Sequence, residues 1–144
     1  MANTVLLEIV TPERLFYRGE VRMVIVRTLT GDEGFMANHT WACKLLDVGE
    51  IWIQEAGQQD FRMLAGAKGF IDVRDGIMIF LDAAEWATDI DLDRALSEKE
   101  RAEQWISQHE RGEDEEELVM RAKISIQKQV MRMKVAQGGG RRRR

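Results

Sequence analysis

Few residues in this chain have the types and spacing that catalysis requires. His39 and Cys43 are four positions apart, as a base and a thiol nucleophile could be, but the residues between them suit a loop or strand and no third group would orient the imidazole. We therefore expect a loop histidine and a packed thiol. The segment Gly66–Gly69 lacks the spacing, and the following Ser or Thr, of a phosphate-binding loop. No catalytic residue is predicted, and the chain is not expected to be an enzyme by itself.

The composition limits the size and class of the protein. The 144 residues can form one modest core and an appendage that must dock on it or on a partner. With 44% hydrophobic and 32% charged residues, the chain is expected to fold. One cysteine and two histidines exclude an internal disulfide and a Cys/His metal cluster. The apolar runs are shorter than the roughly 20 residues of a membrane span, and there is no signal-peptide pattern, which predicts a cytoplasmic protein.

Charge is distributed unevenly along the chain. Residues 88–117 hold 12 acidic and 4 basic side chains, whereas residues 118–144 hold none and 9. Such a reversal is typical of two antiparallel helices of opposite charge, or of a basic arm that seeks an acidic partner. The glycines and arginines of residues 138–144 could contact nucleic acid or anionic lipid. Because this segment has no aromatic stacking platform, we interpret it as a flexible basic tail and expect no nucleic-acid partner.

The first part of the chain has the pattern of short strands separated by turns. Apolar, β-branched runs such as Val5–Val10 recur, with turn residues between them. The clearest hairpin joins residues 70–74 to residues 77–81 through Asp75 and Gly76, a dipeptide that suits a two-residue turn with positive φ angles. Closely spaced short strands of this kind predict a sandwich or barrel.

The later part of the chain has apolar positions at intervals of three and four, which is a helical pattern. Asp89 or Asp91 can cap a first helix of roughly 20 residues that stops near Gly112. A second helix starts in the acidic cluster Glu113–Glu117 and ends at Gly138. Its acidic start and basic end suit the helix dipole, so the charge reversal also has a purely structural interpretation. The predicted organisation is a β-sandwich at residues 1–87, an antiparallel helical hairpin at residues 88–137 and the flexible tail at residues 138–144.

Several short motifs occur in a recognisable order. Leu7–Glu13 opens a strand, Gly31–His39 contains Gly-Asp-Glu-Gly, and Gly69–Val73 and Ala83–Glu85 precede Ile90–Ala95, which reads I-D-L-D-R-A. Together they resemble the epsilon subunits of bacterial F-type ATP synthases over about residues 5 to 136. The chain departs from the family pattern at two places. A proline is usual before or after the loop histidine, where this chain has Ala37 and Thr40, and a Ser-Gly-Gly turn is usual where it has Gly66–Gly69.

The resemblance implies a fold and a function. The fold is a ten-stranded β-sandwich that packs on the gamma subunit and the c ring, with the hairpin reaching toward the alpha/beta catalytic head. The function is that of a non-catalytic rotor subunit in the central stalk, which couples gamma and the c ring during proton-driven ATP synthesis and inhibits ATP hydrolysis through the hairpin. Such a protein is peripheral on the cytoplasmic face of the bacterial plasma membrane, held there only through the complex. The alternative is a free-standing β-sandwich binding module, which leaves the order of the motifs unexplained.

The resemblance also implies two contact surfaces. The loop residues Asp32, Glu33 and His39 are expected to face the c ring, with simple solvation of a loop as the alternative. The second helix has a basic surface, which is expected to bind an acidic segment of the catalytic β subunit when the hairpin is extended. The residues of this basic surface are Arg121, Lys123, Lys128, Arg132 and Lys134.

A third implied site binds ATP as a regulatory ligand, without hydrolysis. Ile90–Ala95 fits the I/L-D-x-x-R-A motif of nucleotide-binding relatives, and arginines from two packed helices could converge on a triphosphate. Lys128 stands where those relatives have arginine, and offers a point charge in place of a bidentate fork. Without any ligand, Asp91 could cap the helix and Arg94 could pair along its surface. The predicted ATP-binding residues are Glu85, Ile90, Asp91, Arg94, Ala95, Arg101, Lys128 and Arg132.

Overall fold

A computed structural model of the chain describes residues 3–109 and 116–138. The predicted helix end near Gly112, the first part of the cluster Glu113–Glu117 and the tail beyond Gly138 lie outside the described residues. The strands are β1 (Val5–Val10), β2 (Leu15–Thr28), β3 (Gly31–Met36), β4 (Ala42–Leu46), β5 (Gly49–Glu55), β6 (Arg62–Gly66), β7 (Gly69–Val73), β8 (Ile77–Leu81) and β9 (Ala84–Trp86). A 3₁₀ turn at Ala87–Asp89 leads to the helices α1 (Leu92–His109) and α2 (Glu116–Ala136).

The strands form one sheet that folds into two layers. One layer contains β1, β8, β7 and β4, and the other contains β3, β2, β5, β6 and β9. The long strand β2 connects them, because its first half pairs with β1 and its second half pairs with β3 and β5. Neighbouring strands are antiparallel except for β1 and β8, which are parallel. The predicted β-sandwich followed by a helical hairpin is therefore confirmed.

The number of strands differs from the implied ten, since the described residues contain nine. Leu15–Thr28 is one continuous strand of 14 residues that serves both layers. A register shift between Val21 and Met23 lets this strand bend from one layer toward the other. Only its second half has the apolar pattern that predicts a strand, because the first half contains charged residues and Gly19.

The core lies between the two layers and follows from the alternation of side chains along each strand. In β8, for example, Ile77, Ile79 and Leu81 are buried and the residues between them are not. Successive side chains of a strand point to opposite faces, so every second residue enters the core. Burial of each such side chain contributes about 1.5–3 kcal/mol to folding. Fully buried Phe35 is among the largest members of this core.

The β7–β8 hairpin is confirmed, but its predicted two-residue turn is wrong. The last pair of the ladder is Val73 and Ile77, which leaves three residues in the loop. The loop is closed by the backbone N–H of Arg74, which donates to the carbonyl oxygen of Gly76 at 2.9 Å. Asp75 and Gly76 do not have positive φ angles. The Asp-Gly dipeptide thus marks the position of the turn and not its length.

Both helices of the hairpin have local capping signals that the sequence predicts. Asp91 Oδ1 accepts a hydrogen bond from the backbone N–H of Arg94 at 3.0 Å, which is the geometry of a helix N-cap. After Ala136, Gly138 has a φ of 98°, a left-handed conformation that glycine adopts readily. Its N–H donates to the carbonyl oxygen of Val135 at 3.1 Å. Along their lengths α1 and α2 pack against each other.

An aromatic cluster anchors the point where the hairpin leaves the sandwich. Trp86 ends β9, and its ring stacks on Phe16 with centroids 5.0 Å apart. The guanidinium of Arg62 lies 3.9 Å from the centroid of the Trp86 ring. Tyr17 meets the same indole edge-on, and its hydroxyl donates to Glu55 at 3.1 Å. The start of the 3₁₀ turn is therefore held firmly against the sandwich.

The only tyrosine of the chain makes this cluster measurable by pH titration. Burial, and then the nearby Glu55 carboxylate, raise the pKa of Tyr17 to about 12, whereas Arg62 lowers it. The folded state thus favours the neutral phenol, so its contribution to stability is present below about pH 10 and is lost as the pH rises toward 12. We expect ultraviolet absorbance titration to show phenolate formation near pH 12 in the folded protein, and at lower pH in Glu55→Gln. Ionisation of folded Tyr17 at the ordinary value would contradict the described cluster.

Candidate functional site

The helical hairpin rests on the outer surface of one sandwich layer. α2 contacts β5, β6 and the 3₁₀ turn, and is packed along α1 on its other side. Two of its residues are almost completely buried, Gln129 with 4% of its surface exposed and Val135 with 1%. The layer under α2 includes β9, which ends in Trp86 at the start of the hairpin. Residues far apart in the sequence therefore meet where α2 crosses the ends of these strands.

A cavity of about 650 Å³ lies at this junction. Its volume falls within the range of about 300–1,000 Å³ that is typical of small-molecule sites. The wall combines apolar side chains with acidic and basic groups from the sandwich turns, α1 and α2. The lining residues are Val48, Ala65, Ala67, Lys68, Asp82, Ala83, Ala84, Glu85, Arg94, Glu98, Ile124, Lys128, Gln129, Met131 and Arg132.

An ion pair connects the sandwich to α2 across the cavity. Arg132 Nε and Nη2 donate to the two carboxylate oxygens of Glu85 at 2.8 and 3.0 Å. Arg132 Nη1 donates to Gln129 Oε1 at 2.6 Å, and only 14% of the arginine side chain is exposed. The hydrogen bonding of its guanidinium to the Glu85 carboxylate raises the pKa of Arg132, although burial lowers it. All three guanidinium nitrogens therefore have partners inside the protein.

The other cations of the cavity are held less tightly. Arg94 Nε lies 3.6 Å from Glu98 Oε1, in an exposed pair one helical turn apart. Lys68 and Lys128 have no ion pair within the part of the chain that the structure describes. The side chains of Lys68, Arg94 and Lys128 thus remain available to an anion that enters the cavity.

Half of the predicted ATP-binding residues line this cavity, and half do not. Asp91 caps α1 instead, and Ala95 is completely buried within the hairpin. Arg101 lies two helical turns beyond Arg94, about 10 Å further along α1. Arg94 pairs with Glu98 along the surface of α1, which is the arrangement expected without a ligand. The residues that line the cavity are Glu85, Arg94, Lys128 and Arg132, and those outside it are Ile90, Asp91, Ala95 and Arg101.

The two acids expected at the c ring are paired on the surface of β3. Asp32 Oδ1 accepts from Arg27 Nε at 2.6 Å, and both Glu33 oxygens lie 2.7 Å from Lys44 Nζ. Exposed pairs of this kind contribute about 0–1 kcal/mol each, so a partner could replace them at small cost. Because β3 pairs only with β2 among the described strands, these side chains lie on an edge strand.

His39 lies beyond the other end of β3 and does not join the acids in one cluster. From Asp32 to Met36 the strand extends about 13 Å, at roughly 3.3 Å per residue. The imidazole packs 4.7 Å from the ring of Phe35, and its Nδ1 lies 2.7 Å from the carbonyl oxygen of Thr40. Cys43 is exposed on β4, where it pairs in register with β7. These placements fit the predicted loop histidine, whereas the thiol is not packed.

The five basic residues of α2 occupy two stripes of the helix. At about 100° per residue, one stripe within about 40° contains Arg121, Lys128 and Arg132, and the opposite stripe contains Lys123 and Lys134. Lys128 and Arg132 line the cavity, so this stripe faces the sandwich. The predicted basic surface is therefore not one exposed face while the hairpin is docked.

The outer surface of the other sandwich layer carries a row of apolar residues. In the strand register Leu45 is opposite Phe70, Phe70 is opposite Phe80, and Phe80 is opposite Val10. These four residues, here called the apolar row, cross β4, β7, β8 and β1. The rings of Phe70 and Phe80 stack at 4.7 Å, and Leu45 is 64% and Phe70 39% exposed. A row of apolar side chains with two exposed members is typical of a protein-binding surface.

The apolar row is not among the surfaces predicted from the sequence, although one signal in the sequence indicates it. Ile77–Leu81 is apolar at every position, and a strand with no polar residue is typical of burial on both faces. Only Ile77, Ile79 and Leu81 enter the core. Met78 and Phe80 lie on the opposite face of β8, where they are only half-buried among the described residues.

The described ranges contain neither a membrane-spanning helix nor a cluster of metal-ligating side chains. Neither α1 nor α2 is both long and apolar enough to cross a bilayer. Within residues 3–109 and 116–138, His, Cys, Asp and Glu side chains form no group of three or more that could hold a metal ion. The junction cavity and the apolar row are the two surfaces to which a function is assigned below.

The fold defines a class of protein: a β-sandwich followed by a helical hairpin that, among the described residues, docks on one layer only. Two family models match the chain almost from end to end. They are the ATP synthase, Delta/Epsilon chain, beta-sandwich domain over residues 4–87 and the ATP synthase, Delta/Epsilon chain, long alpha-helix domain over residues 88–137. The chain belongs to the ATP synthase delta/epsilon chain family.

Individual relatives agree with this family. The ATP synthase epsilon chain of Alkaliphilus oremlandii (strain OhILAs) is 45% identical over 108 residues, which are 74% of this chain and 79% of the relative. That of Caldanaerobacter subterraneus subsp. tengcongensis is 36% identical over 138 residues, 94% and 96% of the two chains. The resemblance to bacterial F-type epsilon subunits is thus confirmed.

A solved structure shares the fold. A chain in the cryo-EM structure of the Euglena gracilis mitochondrial ATP synthase, OSCP/F1/c-ring in rotational state 1, has a TM-score of 0.72. The similarity covers 88% of this chain and 76% of that chain. Sequence identity is 20%, so this comparison shows the fold alone.

Proposed function

We propose that this chain is a non-catalytic rotor subunit of a bacterial F-type ATP synthase. It couples the gamma subunit to the c ring during proton-driven ATP synthesis and restrains ATP hydrolysis through its hairpin. The observation that carries this proposal is the match of both domains, residues 4–87 and 88–137, to one family. A free-standing binding module accounts for the fold but leaves the match over 94% of the chain to a bacterial epsilon chain unexplained. The subunit is peripheral on the cytoplasmic face of the plasma membrane, held through the complex.

The apolar row is the surface that we assign to the gamma subunit. It lies on the sandwich layer that does not carry the hairpin, so gamma and the hairpin can be bound at the same time. The stacked Phe70 and Phe80 are aromatic anchors of the kind that dominate interface energetics. Charged pairs beside the row, such as Asp72 with Arg74 at 3.5 Å, suit a polar rim.

The edge strand β3 is the surface that we assign to the c ring. Its carboxylates, Asp32 and Glu33, are in exposed ion pairs that a polar partner can replace at little cost. A cysteine at position 32 is expected to cross-link to the polar loop of subunit c. Cross-linking to gamma alone, or to no subunit, would contradict this assignment.

Restraint of hydrolysis requires the hairpin to leave the sandwich. In the docked form Arg132 is paired with Glu85, and Lys128 faces the same cavity. Undocking releases Arg132 from Glu85 and moves Lys128 away from the sandwich, so that both can act together with Lys123 and Lys134 on the opposite stripe. The extended α2 thus presents a basic surface to the acidic segment of the catalytic β subunit. Because each exposed pair contributes only about 0–1 kcal/mol, restraint depends on several pairs and weakens with added salt.

The junction cavity is the site that we assign to regulatory ATP. Its volume of about 650 Å³ accommodates a nucleotide, and Val48, Ala84 and Ile124 supply apolar surface for the base. The cations Arg94 and Lys128 suit the phosphates. A ligand between the sandwich and α2 favours the docked hairpin over the extended form by its difference in affinity for the two. ATP therefore relieves the restraint.

Co-purification tests the proposed function. The tagged chain is expressed with the alpha, beta and gamma subunits of its own organism, and the retained proteins are identified. A rotor subunit is expected to retain gamma in equal amount and the catalytic head with it, whereas a free-standing module would be purified alone. Retention of none of these subunits would contradict the proposal.

A further inference from the structure

We infer that Lys68 is a phosphate-binding residue of the junction cavity, contributed by the sandwich. The inference rests on the proposed binding of ATP and adds a residue outside the predicted ATP-binding set. A triphosphate would be held between Lys68 on one side and the helical residues Arg94 and Lys128 on the other. All three line the same cavity.

The backbone of Lys68 is fixed at the rim of the cavity. The residue lies in the turn between β6 and β7. The N–H of Ala67 donates to the carbonyl oxygen of Ala83 at 2.9 Å, and the N–H of Asp82 donates to the carbonyl oxygen of Lys68 at 3.0 Å. These two bonds join the turn to the one between β8 and β9. Only the flexible side chain of Lys68 therefore needs to move in order to meet a ligand.

The charge balance of the cavity gives Lys68 its importance. Three carboxylates, those of Asp82, Glu85 and Glu98, line the cavity together with four cations. Arg132 donates to Glu85 and Gln129 with all its nitrogens, so its charge is largely compensated. A phosphate group is thus attracted mainly by the other three cations of the cavity, Lys68, Arg94 and Lys128. Lys68 is the one cation among these that the sandwich supplies.

The location of Lys68 on the sandwich has a second consequence, besides compensation of the charge of the ligand. Lys128 belongs to α2, whereas Lys68 belongs to the sandwich. A triphosphate that contacts both is a bridge across the junction, and it exists only while the hairpin is docked. Lys68 thus contributes to the preference of the ligand for the docked form, and not only to its affinity.

The test is a calorimetric titration of the full chain with ATP, and separately with tripolyphosphate as a probe without base or ribose. Lys68→Ala is expected to weaken binding of both ligands by about 3- to 10-fold, as the loss of one partly exposed charge-assisted contact predicts. Lys68→Arg is expected to retain binding. Lys44→Ala is the matched control, because Lys44 is also an exposed sandwich lysine but pairs with Glu33 away from the cavity.

The results of these titrations distinguish failure of the role assigned to Lys68 from failure of the proposed nucleotide site. If the unmodified chain binds ATP and Lys68→Ala binds it equally well, Lys68 is a solvated turn residue and the inference is wrong. If Lys44→Ala weakens binding as much as Lys68→Ala, the effect is one of overall charge, and the inference is also wrong. If the unmodified chain binds neither ligand at millimolar concentration, the nucleotide site itself is refuted.

Discussion

Replacing Phe70 with aspartate is expected to abolish stable association of this chain with the gamma subunit. Phe70 is the centre of the apolar row, between Leu45 and Phe80 in the strand register. Its ring stacks on that of Phe80, and burial of such an aromatic pair gives an interface its dominant contacts. A carboxylate in the same place would be desolvated without a partner. The dissociation constant should rise by about 30- to 1,000-fold, which corresponds to about 2–4 kcal/mol.

A matched control separates loss of the interface from loss of the fold. Leu29 is another exposed apolar residue, 65% exposed in the turn between β2 and β3 and not part of the apolar row. Leu29→Asp is expected to leave the affinity for gamma unchanged. Thermal unfolding should show that both variants remain folded, since Phe70 lies outside the core. Equal affinity of Phe70→Asp and the unmodified chain would show that gamma does not bind the apolar row.

Replacing Glu85 with glutamine is expected to loosen the docked hairpin even without nucleotide. The substitution removes the charge that holds the Arg132 guanidinium through bonds of 2.8 and 3.0 Å. Hydrogen bonds to charged groups contribute about 1.5–3 kcal/mol, and a poorly solvated arginine would be left with Gln129. Amide hydrogen exchange in residues 124–135 should therefore become about 10-fold faster or more, since about 1.4 kcal/mol corresponds to a factor of ten.

A second ion pair of α2 provides the control for this effect. Glu117 accepts from Arg121 at 2.9 Å, but both side chains are highly exposed. Glu117→Gln is expected to change exchange less than about twofold, because exposed helical pairs contribute about 0.3–0.5 kcal/mol. Arg132→Gln combined with Glu85→Gln should cost less than the sum of the two single changes. Unchanged exchange in Glu85→Gln would mean that this pair does not hold the hairpin.

The features of the fold that the sequence predicts are local ones. A cap such as Asp91 and a stop such as Gly138 act within a few residues, and both take the predicted roles. The alternation in β8 likewise depends only on neighbouring positions. The full length of β2 could not be predicted in this way, because its first half is stabilised by pairing with β1 and not by its own pattern.

The junction site depends on contacts between distant residues, and the sequence pattern alone gives little of it. Glu85 and Arg132 are 47 positions apart, so their pairing follows from the docking of α2 and not from any periodicity. The family resemblance predicts both residues but also four that lie outside the cavity. Lys68 has no local signal, because a lysine in a turn is ordinarily solvated. Its position becomes informative only when the turns of the sandwich and α2 are placed together.

We propose that the hairpin is the regulatory arm of a rotor subunit. The most direct measurement is the rate of ATP hydrolysis by the assembled complex, with the full chain compared with a chain that ends at residue 87. We expect faster hydrolysis with the shortened chain, and a difference that becomes smaller as salt is added, while both chains are retained in equal ratio to gamma. Equal rates at low salt, with both chains retained equally, would show that the hairpin does not restrain hydrolysis.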